Sequence, residues 1–156
     1  MASLEIFNPQ FSMKKIPNLD KLLSAKDINH SIIELDDFIG ELCDDGDNFK
    51  KLTEPQKIFY LNQNLEREVN NGGFDQYFCN SAGENAHETV TSLKAIGANK
   101  TADILQRAIN LVLQIIEQAK EVPEEIWDDF DREFYSYQDD LNALNIKYVE
   151  KHKDFF

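Results

Sequence analysis

Cysteine is scarce in this chain, with only Cys43 and Cys79 among 156 residues. Two thiols are too few for a disulfide framework and lack the spacing of a zinc site, which points to a reducing compartment. Both read as small buried hydrophobes. Basic residues are few as well, 16 Lys and Arg against 29 Asp and Glu, for a net charge of −13. Direct binding of nucleic acid needs a surplus of positive charge to displace counterions, so the composition argues against that class. No apolar run approaches the roughly 20 residues of a membrane span, and no basic start leads into an apolar leader. The expectation is a cytoplasmic, soluble protein without a membrane partner.

Catalytic patterns are missing too. The chain has no P-loop, dinucleotide-binding glycine pattern, nucleophile elbow or His-Glu-x-x-His. The nearest metal lead is Glu84-Asn85-Ala86-His87, with a looser echo at Asp27-Ile28-Asn29-His30. A di-iron bundle needs two Glu-x-x-His pairs and two further inward glutamates, and Asp27 serves better as a helix cap. Cys79 and His87 are separated by a glycine break with no third group to orient them. The expectation is therefore no catalytic residue, no metal, no cofactor and no enzyme.

What is present is helical periodicity. Residues 1–26 form a poorly periodic lead-in, interrupted by Pro9 and Pro17, with one helical turn near residues 20–23. Residues 27–156 read as a single all-α domain, a helical bundle of about six helices. The first, over 27–45, is capped by Asp27 and carries Ile28, Ile32, Leu35, Ile39 and Leu42 at spacings of four and three. The second, over 54–70, opens with Thr53 and Gln56 in capping-box register and Pro55 in its first turn. A further helix over 84–96 stops at Gly97, and the next runs from a cap at Asn99 or Thr101 to about residue 120. The latter is apolar around most of its circumference, which makes it the central helix or part of a homodimer interface. The last helix starts at Pro123, and Trp127, Phe130, Phe134, Tyr137, Leu141, Leu144 and Tyr148 follow in unbroken heptad register. It reads as one long core-covering helix, with a coiled-coil dimer seam as the sharper alternative. No stretch alternates with period two.

Between the second and fourth helices lies Glu68-Val69-Asn70-Asn71-Gly72-Gly73-Phe74-Asp75-Gln76-Tyr77-Phe78-Cys79-Asn80-Ser81-Ala82-Gly83. The paired glycines predict a helix-break-helix joint, because glycine takes the left-handed backbone without steric cost. A short helix then places Phe74, Tyr77 and Phe78 on one face, with Gln76 and Asn80 four apart on another. Gly83 stops it. The alternative is a polar pocket of an uncharacterised enzyme, lined by Asn70, Asn71, Asp75, Gln76 and Asn80. Amides consumed in local hydrogen bonds favour the joint, and a concave convergent site favours the pocket.

The acidic charge is concentrated. Residues 27–47 carry −8 and residues 117–133 carry −6, leaving +1 for the rest of the chain. Glu34, Asp37, Glu41 and Asp44 are spaced three, four and three, so they line the face opposite the apolar stripe. Glu125, Asp129 and Glu133 are four apart, with Asp128 beside them. Like charges at i, i+4 cost about 0.2–0.5 kcal/mol a pair on an exposed helix. Such a stripe sets a carboxylate about every 5 Å, a sparse version of a phosphate strand that two helices side by side would fill in. These eight residues are the candidate contacts for a basic protein partner; the plainer reading is a solubilising face.

The run Asn70-Asn71-Gly72-Gly73-Phe74-Asp75-Gln76-Tyr77-Phe78, then Asn80-Ser81 and Gly83, resembles the core signature of a bacterial domain-of-unknown-function family that includes DNA mimic protein nineteen. The similarity continues through Leu93-Lys94-Ala95-Ile96-Gly97-Ala98 to Arg107 and Ala108, over about 54–120. The first 50 residues and the aromatic last helix lie outside it. The resemblance implies a compact all-α fold and at least one acidic, dimeric member that occupies the DNA-binding face of a transcriptional regulator. It transfers a structural signature (Asn71, Gly72, Gly73, Phe74, Gln76, Tyr77, Phe78, Asn80, Gly83) and no catalytic group. The expected function is an acidic binding protein for a DNA-binding regulator, or an immunity or antitoxin-type inhibitor of a basic nuclease.

Overall fold

Asp27 accepts a hydrogen bond from the His30 backbone N–H at 3.1 Å and so starts the first long helix, as its position before the apolar stripe predicts. In the computed structural model, which describes residues 16–118, 120 and 123–156, the elements in chain order are all helical. They are α1 (Leu19–Leu23), α2 (Ile28–Leu42), α3 (Glu54–Cys79), α4 (Ala86–Ile96), α5 (Asn99–Glu117), α6 (Asp128–Tyr135) and α7 (Leu141–Lys151). Short 3-10 turns join several of them, and no strand occurs among the described residues. The part of the lead-in before residue 16, Pro9 included, lies outside the described residues.

α3 organises the bundle. Thr53 and Gln56 form the reciprocal capping box, and the helix then runs 26 residues through a break at Gly72 and Gly73. Before the break it joins α2 and the end of α7 in one core around Leu35, Ile39, Phe59 and Val149, each fully buried. From Leu65 through the break and beyond it joins α4, α5 and α6 in a second core around Phe74, Tyr77, Leu93 and Leu105. Where α3, α4 and α7 meet, Asn62 Nδ2 donates to Asn145 Oδ1 at 3.4 Å, and Asn145 Nδ2 donates to the Leu141 carbonyl at 2.9 Å.

Three expectations are corrected. The aromatic stripe from Trp127 to Tyr148 is not one helix: α6 ends at Tyr135, Tyr137 takes a left-handed φ of 44°, and α7 restarts at Leu141. Asp140 causes the restart by accepting from the Ala143 N–H at 3.0 Å, so the heptad register continues across a corner and forms no coiled-coil seam. Neither Asn99 nor Thr101 caps α5 with its side chain; the Asp139 carboxylate of that same corner accepts from both the N–H and the hydroxyl of Thr101, at 2.8 and 3.0 Å. Finally, Cys79, expected to be a buried hydrophobe, is exposed on the last turn of α3, whereas Cys43 is buried. α5 leaves part of its apolar circumference uncovered in this chain, with Leu113 48% and Ile116 65% exposed near its C-terminal end.

Candidate functional site

The joint comes first, because the other surfaces are placed by it. Gly73 has φ 72° and ψ −173°, a conformation that excludes ordinary side chains. A β-carbon there would also collide with the Asp131 carboxylate. That space is needed: Asp131 Oδ1 accepts from the Phe74 N–H at 2.8 Å, so a side chain of α6 caps the restarted helix from outside it. Burial pushes the Asp131 carboxyl above its ordinary range, against the opposing pull of this hydrogen bond. Phe74 then sits fully buried within 5.8–6.4 Å of the rings of Tyr77, Phe78, Trp127, Phe130 and Phe134. The restarted helix ends at Cys79 with Asn80 as its C-cap, short of the expected stop at Gly83; Gly83 lies in the following 3-10 turn, where a β-carbon would come 2.7 Å from the Tyr77 carbonyl.

The amides of this stretch are engaged. Gln76 and Asn80 do not bond each other; both donate to Glu68 Oε2, at 2.8 and 2.7 Å. Asn71 Nδ2 donates to Gln76 Oε1 at 3.2 Å, and Asn70 Nδ2 donates to the Tyr137 hydroxyl at 2.7 Å. Tyr137 in turn donates to Glu66 Oε1 at 3.0 Å, and the Tyr135 hydroxyl donates to the Val69 carbonyl at 2.6 Å. Burial drives the Tyr137 phenol up to about 12. The Asp75 carboxylate has no hydrogen-bond partner among the described residues. The stretch is wired as a joint, with Glu68, Asp131, Tyr135 and Tyr137 as the partners; the sequence placed Tyr137 only in the aromatic stripe and gave no role to the other three. Of these only Asp131 lies within an acidic segment, 117–133, and its job differs from that of its neighbours.

The first acidic stripe is exposed along its length. Glu34, Asp37 and Glu41 lie on the outer face of α2, and Asp44 opens the 3-10 turn Asp44–Gly46. In that turn Asp44, Asp45 and Gly46 all take positive φ, 49°, 53° and 107°. Such a turn costs backbone strain for the two aspartates and leaves their carboxylates exposed. Some of the charge is answered. His30 lies 3.0 Å from Glu34, and Lys51 lies 3.2 Å from Asp44. The Asn48 amide first, and Lys51 second, hold the Asp44 carboxyl below its ordinary range. Asp36, on the flank of the stripe, binds Arg67 of α3 through both oxygens at 3.0 and 2.8 Å. Asp37, Asp45 and Asp47 have no ion-pair partner among the described residues.

The second stripe is more divided. Glu125 lies in the 3-10 turn Glu124–Trp127, and Asp128 and Asp129 open α6; all three are exposed. Asp129 pairs with Arg132 at 2.8 Å. Glu133 is half-buried and bound at 2.7 Å by Arg107, whose guanidinium lies 5.6 Å from the Phe130 ring centroid. Glu133 therefore ties α6 to α5. The two stripes do not lie side by side: α2 packs on α3 and α7, whereas α6 packs on α3 and α5. Among the described residues no three His, Cys, Asp or Glu side chains are grouped to hold a metal ion, Glu84 and His87 included. No described helix is long and apolar enough to cross a membrane.

With the joint and the corner between α6 and α7 in view, the family is decided by a match that spans both: the model of the DMP19-like proteins covers residues 50–152. The chain belongs to the DMP19-like protein family. No curated protein and no solved structure matches it. The DMP19-like region extends well past residue 120 and takes in α6 and most of α7. Within that region Asp131 caps the helix after Gly73 and Asp139 caps α5. The second acidic stripe lies inside the DMP19-like region and the first lies outside it.

Proposed function

We propose that this DMP19-like chain is a non-enzymatic acidic protein that docks on the basic, DNA-binding face of another protein. The observation that carries the reading is the placement of its charge. Two short segments carry −8 and −6 against a net charge of −13, and Glu34, Asp37, Glu41 and Asp44 on α2 with its following turn, with Glu125, Asp128 and Asp129 at the approach to α6, stand exposed. A surface of one sign steers a partner of the opposite sign and favours it over neutral competitors. Glu34, Asp37, Glu41 and Asp44 form one contact set, and Glu125, Asp128 and Asp129 the other. Glu133 contributes less to docking because Arg107 already neutralises it. The family resemblance supports the same direction. An enzyme reading loses its motive, because Asn70, Asn71, Gln76 and Asn80 are engaged in hydrogen bonds within the joint. A basic nuclease would meet the same surface, and the identity of the captured protein separates the two.

The test is affinity capture with the wild-type chain and with a variant carrying Asn or Gln at these eight acidic positions. The wild type is expected to retain a DNA-binding protein that the variant loses. Equal capture by both would overturn the reading.

A further inference from the structure

Beside the first acidic stripe, two cavities of about 440 and 420 Å³ meet across the Asp36–Arg67 pair. Together they make a groove between α2 and α3. At one end its walls are Asp37, Glu41 and Asp45, with Gly40 between them. At the other end lie Ile33, 59% exposed, and the α3 residues Gln63, Glu66 and Asn70.

The α3 wall holds unspent hydrogen-bonding capacity. Gln63 is only 7% exposed, and its Nε2 has no partner among the described residues. One turn on, Glu66 spends Oε1 on Tyr137, and its buried Oε2 has none. One unsatisfied donor and one unsatisfied acceptor, three residues apart on one helix, complement the C=O and N–H of a peptide backbone. The opposite end of the groove supplies only carboxylates beyond Arg67.

We propose that this groove holds a basic peptide segment of a protein partner. Its backbone bonds Gln63 and Glu66, and its Lys or Arg side chains reach Asp37, Glu41 and Asp45. The proposal rests on the docking reading above and gives it an anchor point. Arg67 stays with Asp36 as the fixed divider between the backbone end and the charged end.

The probe is a short synthetic peptide rich in arginine and lysine, titrated into the full chain and followed by side-chain amide NMR and calorimetry. The Gln63 amide resonance is expected to shift. Gln63→Leu should weaken binding about fivefold, the equivalent of one hydrogen bond of about 1 kcal/mol. Asp37→Asn with Asp45→Asn should weaken it by a similar factor, and Asn suits the positive φ at position 45. Glu84→Gln with Glu88→Gln removes the same charge from exposed positions outside the groove and should change little. Equal weakening by both charge variants with no effect of Gln63→Leu would overturn the groove in favour of diffuse attraction. Equal binding of an acidic peptide, or no binding of the basic one, would overturn it as well. If the groove variants still capture a DNA-binding protein as the wild type does, the groove is wrong and the docking reading stands. If the basic peptide binds in the groove but no DNA-binding protein is captured, the docking reading fails and the groove stands.

Discussion

Gly73 is where a single atom decides the most. Its backbone is in a region essentially reserved for glycine, and a β-carbon would displace the Asp131 carboxylate that caps Phe74. Gly73→Ala is expected to cost about 2–4 kcal/mol, from strain and the lost cap together, read as a lower urea midpoint at unchanged slope. A loss below about 0.5 kcal/mol would mean the joint relaxes freely. Glu66 makes a second residue-scale prediction. Burial, the largest influence, raises its carboxyl above the ordinary 4.5, with Tyr137 opposing. A carboxylate raised on folding is bound more tightly to its proton in the native state. Its penalty is therefore absent below 4.5, grows as pH rises to the shifted value, and is full above it. Glu66→Gln removes that component. The melting temperature of the variant relative to wild type should rise between pH 4 and neutrality; a pH-independent difference would contradict the assignment.

The elements show how much the sequence could reveal and where it stopped. The starts of α2 and α3 were legible because their caps are local: Asp27 bonds three residues on, and Thr53 with Gln56 closes its own box. The joint was legible for the same reason, since paired glycines act on their own backbone. The aromatic last helix was misread because its heptad spacing survives a corner that only Tyr137 and Asp140 reveal. The cap of α5 was missed because Asp139 lies 38 residues away in sequence. Nothing in composition separates Asp131 and Asp139, which hold backbone N–H groups, from Asp128 and Asp129, which face solvent. Asp139→Ala should therefore destabilise the fold by about 1–2 kcal/mol, lowering the melting temperature by about 2–8 °C in calorimetry. Asp47→Ala, exposed and without an ion pair among the described residues, should stay within about 0.5 kcal/mol. Equal effects would deny the distinction between structural and surface acids.

At the scale of the whole molecule, the joint and the surface charge fall on different residues, with the first acidic stripe outside the DMP19-like region and the second inside it. Gly72 to Gly83 set helix directions, while the acidic faces lie on α2, its following turn and the start of α6. A chain with a net charge of −13 should bind its partner through long-range attraction. Affinity is then expected to fall steeply as salt is raised from about 0.05 to 0.3 M, as the screening length shrinks below about 10 Å. Affinity that is flat with salt would assign binding to other surfaces. The central claim is that the acidic faces occupy the place of DNA. The most direct measurement is competition on the captured protein, with labelled duplex DNA prebound and the chain titrated in. The account predicts that DNA is released as the chain binds, and that the variant neutralised at the eight acidic positions fails to release it. A stable ternary complex of partner, DNA and chain would contradict it.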